Sequence, residues 1–280
     1  MLCVYYLSMS NNHTNTSSVY GPVYSWRLGK SLGIDLLMDP STCSFNCTYC
    51  QLGFIQRITT ERRIYVPTKK VLSDFISSPW QETDVITFSG SGEPTLAENI
   101  GEVIKEIKKI TNKPVVILTN GTLLNDDSVR RDVLYADIIS VKLDAYDDKT
   151  LQSINRPAEG INLNTIQSGI KKLKEDISVG VCHGKPKLQV QIMFMPQNKN
   201  HVDDLAKLLN EIMPDEVALN TPTRPYPGGF DIITRGAHGE DAKKIKYPTK
   251  PLKQLTRDEA ENIEKRLKEL TGLNFISVYN

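Results

Sequence analysis

The stretch Gly33-Ile34-Asp35-Leu36-Leu37-Met38-Asp39-Pro40-Ser41-Thr42-Cys43-Ser44-Phe45-Asn46-Cys47-Thr48-Tyr49-Cys50 runs from an apolar segment into three cysteines at C-x3-C-x2-C spacing. Gly33 to Met38 reads as a first β-strand, ended by Asp39-Pro40, because proline cannot continue a ladder. The cysteines then fall on a loop at the carboxyl end of that strand, where parallel α/β folds place their chemistry. Thiolates at this spacing can each reach a different iron of a cubane [4Fe-4S] cluster, which leaves one iron open to an outside ligand. An open iron points to catalysis. A zinc knuckle would need a closed set of four ligands, usually two C-x2-C pairs. No second pair is present, and Cys182-His183 is a poor substitute. Three buried structural thiols are the other rival, set against the crowding of three of the chain's five cysteines into eight residues.

Outward from this loop the chain alternates strand and helix. Helices are expected over Lys69–Ser77, through Leu96, Ile100, Val103, Ile104 and Ile107, over Asp126–Leu134, Asp147–Ile154 and Leu163–Leu173, and from Asn200. Strands are expected over Asp84–Ser89, Pro114–Thr119, Asp137–Asp144, Lys187–Met195 and Glu216–Asn220. Thr256-Arg257-Asp258-Glu259 is a capping box for a last helix, with a terminal strand over Asn274–Tyr279. Six strand–helix units imply a parallel sheet with right-handed crossovers and fall short of a closed eight-fold barrel. A partial (β/α)6 TIM-like barrel is the expected fold; a doubly wound open parallel sheet is the alternative. The expected organisation is a mobile tail over residues 1–19 and a core over residues 20–225. Residues 226–280 add a basic loop or lid, a helix and a strand to the same domain. Tyr20 to Gly33 reads as an ordered lead-in without a long element.

Composition bounds the function. The chain has 280 residues, 39% hydrophobic and 24% charged, ordinary for a globular protein able to bury a core. With 34 Lys plus Arg against 33 Asp plus Glu, wrapping nucleic acid by bulk charge is excluded, and any such contact is a local patch. The odd, clustered cysteine count does not fit a secreted disulfide framework. The apolar N-terminus has no basic n-region and is too short to span a bilayer, so a cytoplasmic protein with no membrane association is expected.

Further polar residues gather at strand ends. Ser89-Gly90-Ser91-Gly92-Glu93-Pro94 ends one strand; its glycines allow close backbone approach and Glu93 can accept from an ammonium. A plain strand-to-helix turn is the competing reading. Lys142 and Asp144 lie two apart on one strand and so share a face, as a ligand site or as a mutual ion pair. Gln189 and Gln191 repeat that pattern. Asn120-Gly121 could be a turn or a contact. Lys243, Lys244, Lys246, Lys250 and Lys253 are a solvated loop or a phosphate-contacting lid.

C-x3-C-x2-C with Tyr49 before the last cysteine resembles the signature of the radical SAM superfamily, over most of residues 20–225. The resemblance implies that Cys43, Cys47 and Cys50 hold the cluster. It implies that S-adenosylmethionine chelates the open iron through its amino and carboxylate groups, with Tyr49 near the adenine. Ser91-Gly92-Glu93 resembles the family's Gly-Gly-Glu motif, which meets the cofactor's amino group. The strand carrying Lys142 and Asp144 would serve the ribose and the methionine carboxylate, and Asn120, Arg156 and Asn220 are further expected cofactor contacts. The Arg27-Leu28-Gly29 lead-in, Cys47-Thr48-Tyr49-Cys50-Gln51-Leu52-Gly53 and Leu219-Asn220-Thr221-Pro222-Thr223-Arg224-Pro225 resemble a compact group of wyosine-synthesis-related iron–sulfur oxidoreductases. Trp26 stands where that group has an arginine. Only Cys3 precedes Cys43, so a second cluster and the wyosine-forming activity are not carried over.

The resemblance implies reductive cleavage of S-adenosylmethionine to methionine and a 5′-deoxyadenosyl radical, which takes hydrogen from a substrate. The electron donor would be of flavodoxin or ferredoxin type. RNA, a protein side chain (an activase or modifier) and a small metabolite are all open as substrate. A non-catalytic iron–sulfur electron carrier and a zinc-binding module are the alternatives.

Overall fold

The computed structural model describes residues 16–180, 185–235 and 246–279. Cys3, Cys182, His183, Lys243 and Lys244 lie outside the described residues. The chain opens with β1 (Val19–Ser25) and β2 (Gly29–Ile34) as an antiparallel hairpin. It continues through α1 (Thr68–Ile76), β3 (Val85–Phe88), α2 (Ile100–Ile110), β4 (Val115–Thr119), α3 (Asp127–Val133) and β5 (Ile138–Lys142). Then come α4 (Asp148–Ile154), α5 (Leu163–Val179), β6 (Lys187–Met193), α6 (Val202–Ile212), β7 (Glu216–Asn220), α7 (Arg257–Thr271) and β8 (Phe275–Ser277).

These eight strands form one sheet whose spatial order is the chain order. β2 to β7 pair parallel in succession, and β8 adds parallel to β7. Right-handed crossovers in an order that never reverses put every helix on the same face. A doubly wound sheet needs a reversal of order to place helices on both faces. The curled sheet is therefore a partial barrel, with helices outside and an interior face left for side chains.

The two faces differ in chemistry because strand side chains alternate. On β5, Ile139 and Val141 join the core shared with the helices, and Ser140 and Lys142 face the interior cavity. On β6, Leu188, Val190 and Ile192 go to the core, while Gln191 and Met193 line the cavity. The packing between sheet and helices is mainly apolar. Phe75 of α1, Ile100, Val103, Ile104 and Ile107 of α2, and Ile170 and Leu173 of α5 are all at 0% exposure. The Thr256–Glu259 capping box forms as the sequence requires.

Three expectations need correction. The lead-in is a strand hairpin; its pairing slips register between Tyr20 and Val23, around Gly21-Pro22, which breaks the alternation that marks a strand. The first parallel strand lies earlier than Gly33–Met38 and stops at Ile34. Asp35 stops it: its Oδ1 accepts from the backbone N–H of Leu37 and Met38, both at 3.0 Å, bending the chain out of the ladder. Ser18 and Val19 are not tail. Ser18 is buried and donates from its backbone N and its Oγ to Asp74 of α1, at 2.7 and 2.8 Å.

Residues 221–255, read as a long loop or lid, are tied down in part. Tyr226–Pro227 pairs antiparallel with Thr249–Lys250. Arg235 is buried, with Nη1 3.0 Å from Asp35 Oδ2 and Nη2 donating to the Ser17 carbonyl at 2.8 Å. Lys246, Lys250 and Lys253 are exposed. Phe88 of β3 is completely buried between strands and helices, so Phe88→Ala is expected to cost roughly 3–5 kcal/mol. Urea unfolding with an unchanged m-value would show it.

Candidate functional site

The cysteine loop is held from three sides. Its start runs beside the loop after β3: Thr42 N–H donates to the Ser91 carbonyl at 2.8 Å, and Glu93 N–H donates to the Thr42 carbonyl at 3.1 Å. A Cβ on Gly92 would lie 1.6 Å from the Thr42 carbonyl oxygen, so only glycine permits this approach. Its middle leans on the end of α4, with Asn46 N–H shared between the carbonyls of Asn155 and Arg156, and Thr48 N–H on that of Ile154. On the far side Thr59 N–H donates to the Cys43 carbonyl at 3.0 Å.

Cys43, Cys47 and Cys50 all line one cavity of about 360 Å³ in the interior of the sheet. Cys43 Sγ accepts from Phe45 N–H at 3.4 Å and from Asn120 Nδ2 at 3.6 Å, and Cys47 Sγ accepts from Asn155 Nδ2 at 3.4 Å. Burial pushes the Cys43 thiol well up, the Cys47 thiol to about 12 and the Cys50 thiol up, because a lone thiolate there is poorly solvated. A bound metal centre inverts that balance, since coordinated thiols are deprotonated outright. Among the described residues no three His, Cys, Asp or Glu side chains are grouped to hold a single ion. A cubane takes one thiolate per iron and gains from N–H groups directed at sulfur, both of which the loop can supply.

Around the thiols stand most of the other expected residues. Glu93 is buried, lines the cavity and bridges two elements. Its Oε1 accepts from Thr95 N–H, Thr95 Oγ1 and Thr119 Oγ1 at 3.1, 2.6 and 2.7 Å, while Oε2 takes, among the described residues, only Asn120 N–H at 2.7 Å. Oε2 therefore keeps acceptor capacity. Burial raises the Glu93 carboxyl, against those hydrogen bonds. Asn120 combines both readings given to it. Its Oδ1 closes a turn with Thr122, and its Nδ2 reaches Ser44 Oγ and Cys43 Sγ.

Asp144 lies just past the end of β5 and its side chain is fully buried. Its Oδ1 accepts from Met193 N–H at 2.7 Å, and its Oδ2 accepts from Asn155 Nδ2 at 2.8 Å and from the Tyr49 hydroxyl. The Tyr49 phenol is pushed well up, by burial first and the Asp144 charge next. Lys142 Nζ is a buried atom with no hydrogen-bond partner among the described residues; it lies 3.8 Å from Asp144 Oδ1 and 5.1 Å from the Tyr49 ring centroid. Asn220 also lines the cavity, with its Oδ1 on Thr221 N–H. Arg156 is not brought to the cavity: its side chain is exposed, at a left-handed φ of 47°. The neighbouring Asn155 occupies the interior in its place, joining Cys47, Tyr49 and Asp144. No periodic signal separates two adjacent polar residues after a helix end, so sequence reading missed it.

Arg27 and Arg224 also line the cavity, a place that sequence alone does not reveal. A long side chain on a hairpin turn is identified as interior only once the hairpin is folded over the sheet.

The chain belongs to the radical SAM superfamily, whose model matches residues 40–209. It is an enzyme of that family; the [4Fe-4S] cluster and S-adenosylmethionine are its cofactors, and its reaction needs a reductant and a substrate. Over 262 residues it is 43% identical to UPF0026 protein slr1464 of Synechocystis sp., covering 93% of this chain and 94% of that one. It is 38% identical over 93% of its length to a protein named GTPase Obg in Brachyspira hyodysenteriae, of which it spans 38%. Among solved structures, a radical SAM methyltransferase from Sphaerobacter thermophilus shares the fold, with a TM-score of 0.60 at 14% identity over 88% of this chain and 66% of that one. No helix among the described residues is long and apolar enough to cross a membrane.

Asp144 is the counter-charge that keeps Lys142 in the interior. Asp144→Ala is expected to cost roughly 3–5 kcal/mol by stranding a buried ammonium, and Lys142→Met in the same chain should recover a substantial part of it. A urea double-mutant cycle measures the coupling.

Proposed function

We propose that Cys43, Cys47 and Cys50 ligate the cluster and that the cavity beside them seats S-adenosylmethionine, with Glu93 and Lys142 reading its two charged ends. The observation that carries this is the pairing of opposite unmet needs in one cavity. Glu93 Oε2 has room for an ammonium donor, and Lys142 Nζ, 3.8 Å from its counter-charge Asp144, makes no hydrogen bond among the described residues. An amino acid group brings both partners. When bound, the reduced cluster supplies the electron that splits S-adenosylmethionine into methionine and a 5′-deoxyadenosyl radical, which takes a hydrogen atom from the substrate.

The chain's residues hold and shield. Glu93 accepts the cofactor's amino group, and its ties to Thr119 and Asn120 keep the carboxylate facing inward. Lys142 donates to the carboxylate. Tyr49 presents a wall of the adenine site, and Asp144 acts as a positioning residue, since its oxygens are committed to Tyr49, Asn155 and Met193. Asn120 and Asn155 direct N–H groups at the sulfurs of Cys43 and Cys47, which favours the thiolate form. Asn220 contributes an amide to the cavity rim. Arg156, exposed at the end of α4, supports the loop through its backbone carbonyl rather than through its side chain. A flavodoxin- or ferredoxin-type protein is the electron donor, and the whole operates in the cytoplasm.

The test is anaerobic reconstitution, reduction with dithionite and assay of 5′-deoxyadenosine. The intact chain is expected to form the nucleoside. Cys47→Ala should lose cluster absorbance and product together. Lys142→Gln should retain the cluster absorbance and need roughly tenfold to hundredfold more S-adenosylmethionine, the worth of one charged hydrogen bond. A loaded, reduced cluster that forms no nucleoside, or an active Cys47→Ala, would sink the reading.

A further inference from the structure

We infer that Arg27, with Arg224, forms an anion subsite on the inner face of the barrel that takes the phosphate or carboxylate of a small-molecule substrate. This rests on the proposed place of the cofactor in the same cavity. Arg27 comes from the β1–β2 turn and reaches across the interior to β5 and β6. Its Nη1 finds only neutral acceptors, Ser140 Oγ and Gln189 Oε1, both at 3.3 Å. Its Nε is buried with no hydrogen-bond partner, and it forms no salt bridge among the described residues. Glu216, an acid acting on it at a distance, is already engaged by Lys187 at 2.8 Å and by Gln189 Nε2 at 2.7 Å.

A guanidinium carries five donors in a planar fork and is costly to bury without an anion. Here a second guanidinium, Arg224, lines the same cavity, and its charge works against that of Arg27. Burial lowers both to about 10. Arg27, whose Nε has no partner among the described residues, is the cation that a ligand carrying negative charge would meet, with Arg224 adding to the positive field of the same cavity.

The location separates this subsite from the cofactor contacts. Ser140, which Arg27 touches, precedes Lys142 by two residues on β5 and so lies about 7 Å deeper along the strand. The floor between them is neutral and polar: Ser31 Oγ and Thr87 Oγ1 are 2.6 Å apart, and Ser140 Oγ donates to Gln189 Oε1 at 2.7 Å. Hydroxyls and amides there can hydrogen-bond an uncharged part of a ligand. At about 360 Å³ the cavity is near the lower end of ligand sites, and the cofactor takes much of it. A cavity of this size favours a small ligand over a strand of RNA.

Isothermal titration of the full chain, before and after cluster reconstitution, with inorganic phosphate and with malonate as separate titrants tests the subsite and separates its two possible sources. One of the two is expected to bind at one per chain. Arg27→Gln should weaken it at least tenfold and Arg27→Lys less, with far-UV circular dichroism confirming the fold. Arg224→Gln should weaken the same anion and carries the comparison if Arg27→Gln does not fold. Binding of neither anion, or unchanged binding by both glutamine variants, overturns the inference; so does preferential binding of a mixed-sequence oligoribonucleotide. Nucleoside formation is measured on the same wild-type samples. Nucleoside without anion binding defeats the subsite alone, and anion binding without nucleoside from a loaded cluster defeats the cofactor reading alone.

Discussion

The backbone contact between Thr42 and Gly92 fixes the geometry on which the rest of the site depends. It joins the start of the cysteine loop to the end of β3 at a separation that no side chain would allow. Through the next residue it engages a third element. Glu93 takes the Thr42 carbonyl with its N–H, and with its carboxylate it gathers Thr95, Thr119 and the Asn120 N–H from the end of β4. One peptide thus sets the cysteine loop, the acidic residue and the β4 terminus against each other. Asn120 then returns to the loop through Ser44 and Cys43, closing the circuit. Buried polar networks of this kind are costly unless complete, and completeness is what makes them specify one arrangement.

The second constraint is topological. Because the parallel strands are arranged in chain order, the helices share one face and the other is free of them. Side chains on that inner face need not be apolar. Ser31, Thr87, Ser140, Lys142 and Gln191 line the cavity from four strands, while their outward neighbours fill the core. An interior this polar and cationic is unfavourable for an empty core and suitable for a charged ligand. The hairpin of β1 and β2 closes one side, delivering Arg27 and Tyr20. Tyr20 is pushed up to about 12 by burial, donates to or accepts from Ser89 at 2.7 Å, and stacks under Arg235.

Features that are periodic or locally clustered were the ones legible in the sequence. The β7 strand matches its expected span residue for residue, and β3 to β6 lie within theirs, because buried parallel strands are short apolar runs bounded by turns. The cysteines, Glu93 and Lys142 were visible because their spacing or their charge is anomalous for a strand end. The hairpin was not, since its register shift at Gly21-Pro22 erases the alternation. Asn155 was lost to its neighbour Arg156, because a left-handed residue after α4 turns one side chain in and the next out. Arg27 was legible as a motif residue and not as a wall of the cavity, since only tertiary folding brings residue 27 to residues 140 and 189.

Three thiolates from Cys43, Cys47 and Cys50 would leave one iron of a cubane open, and the adjoining cavity is where S-adenosylmethionine would meet it. Electron paramagnetic resonance of the reconstituted, reduced chain, recorded with and without S-adenosylmethionine, addresses this without a substrate. A cubane signal whose g-values shift on addition of the cofactor is the result this account predicts. A signal indifferent to the cofactor, or a chain that binds zinc in place of iron and sulfide, would contradict it.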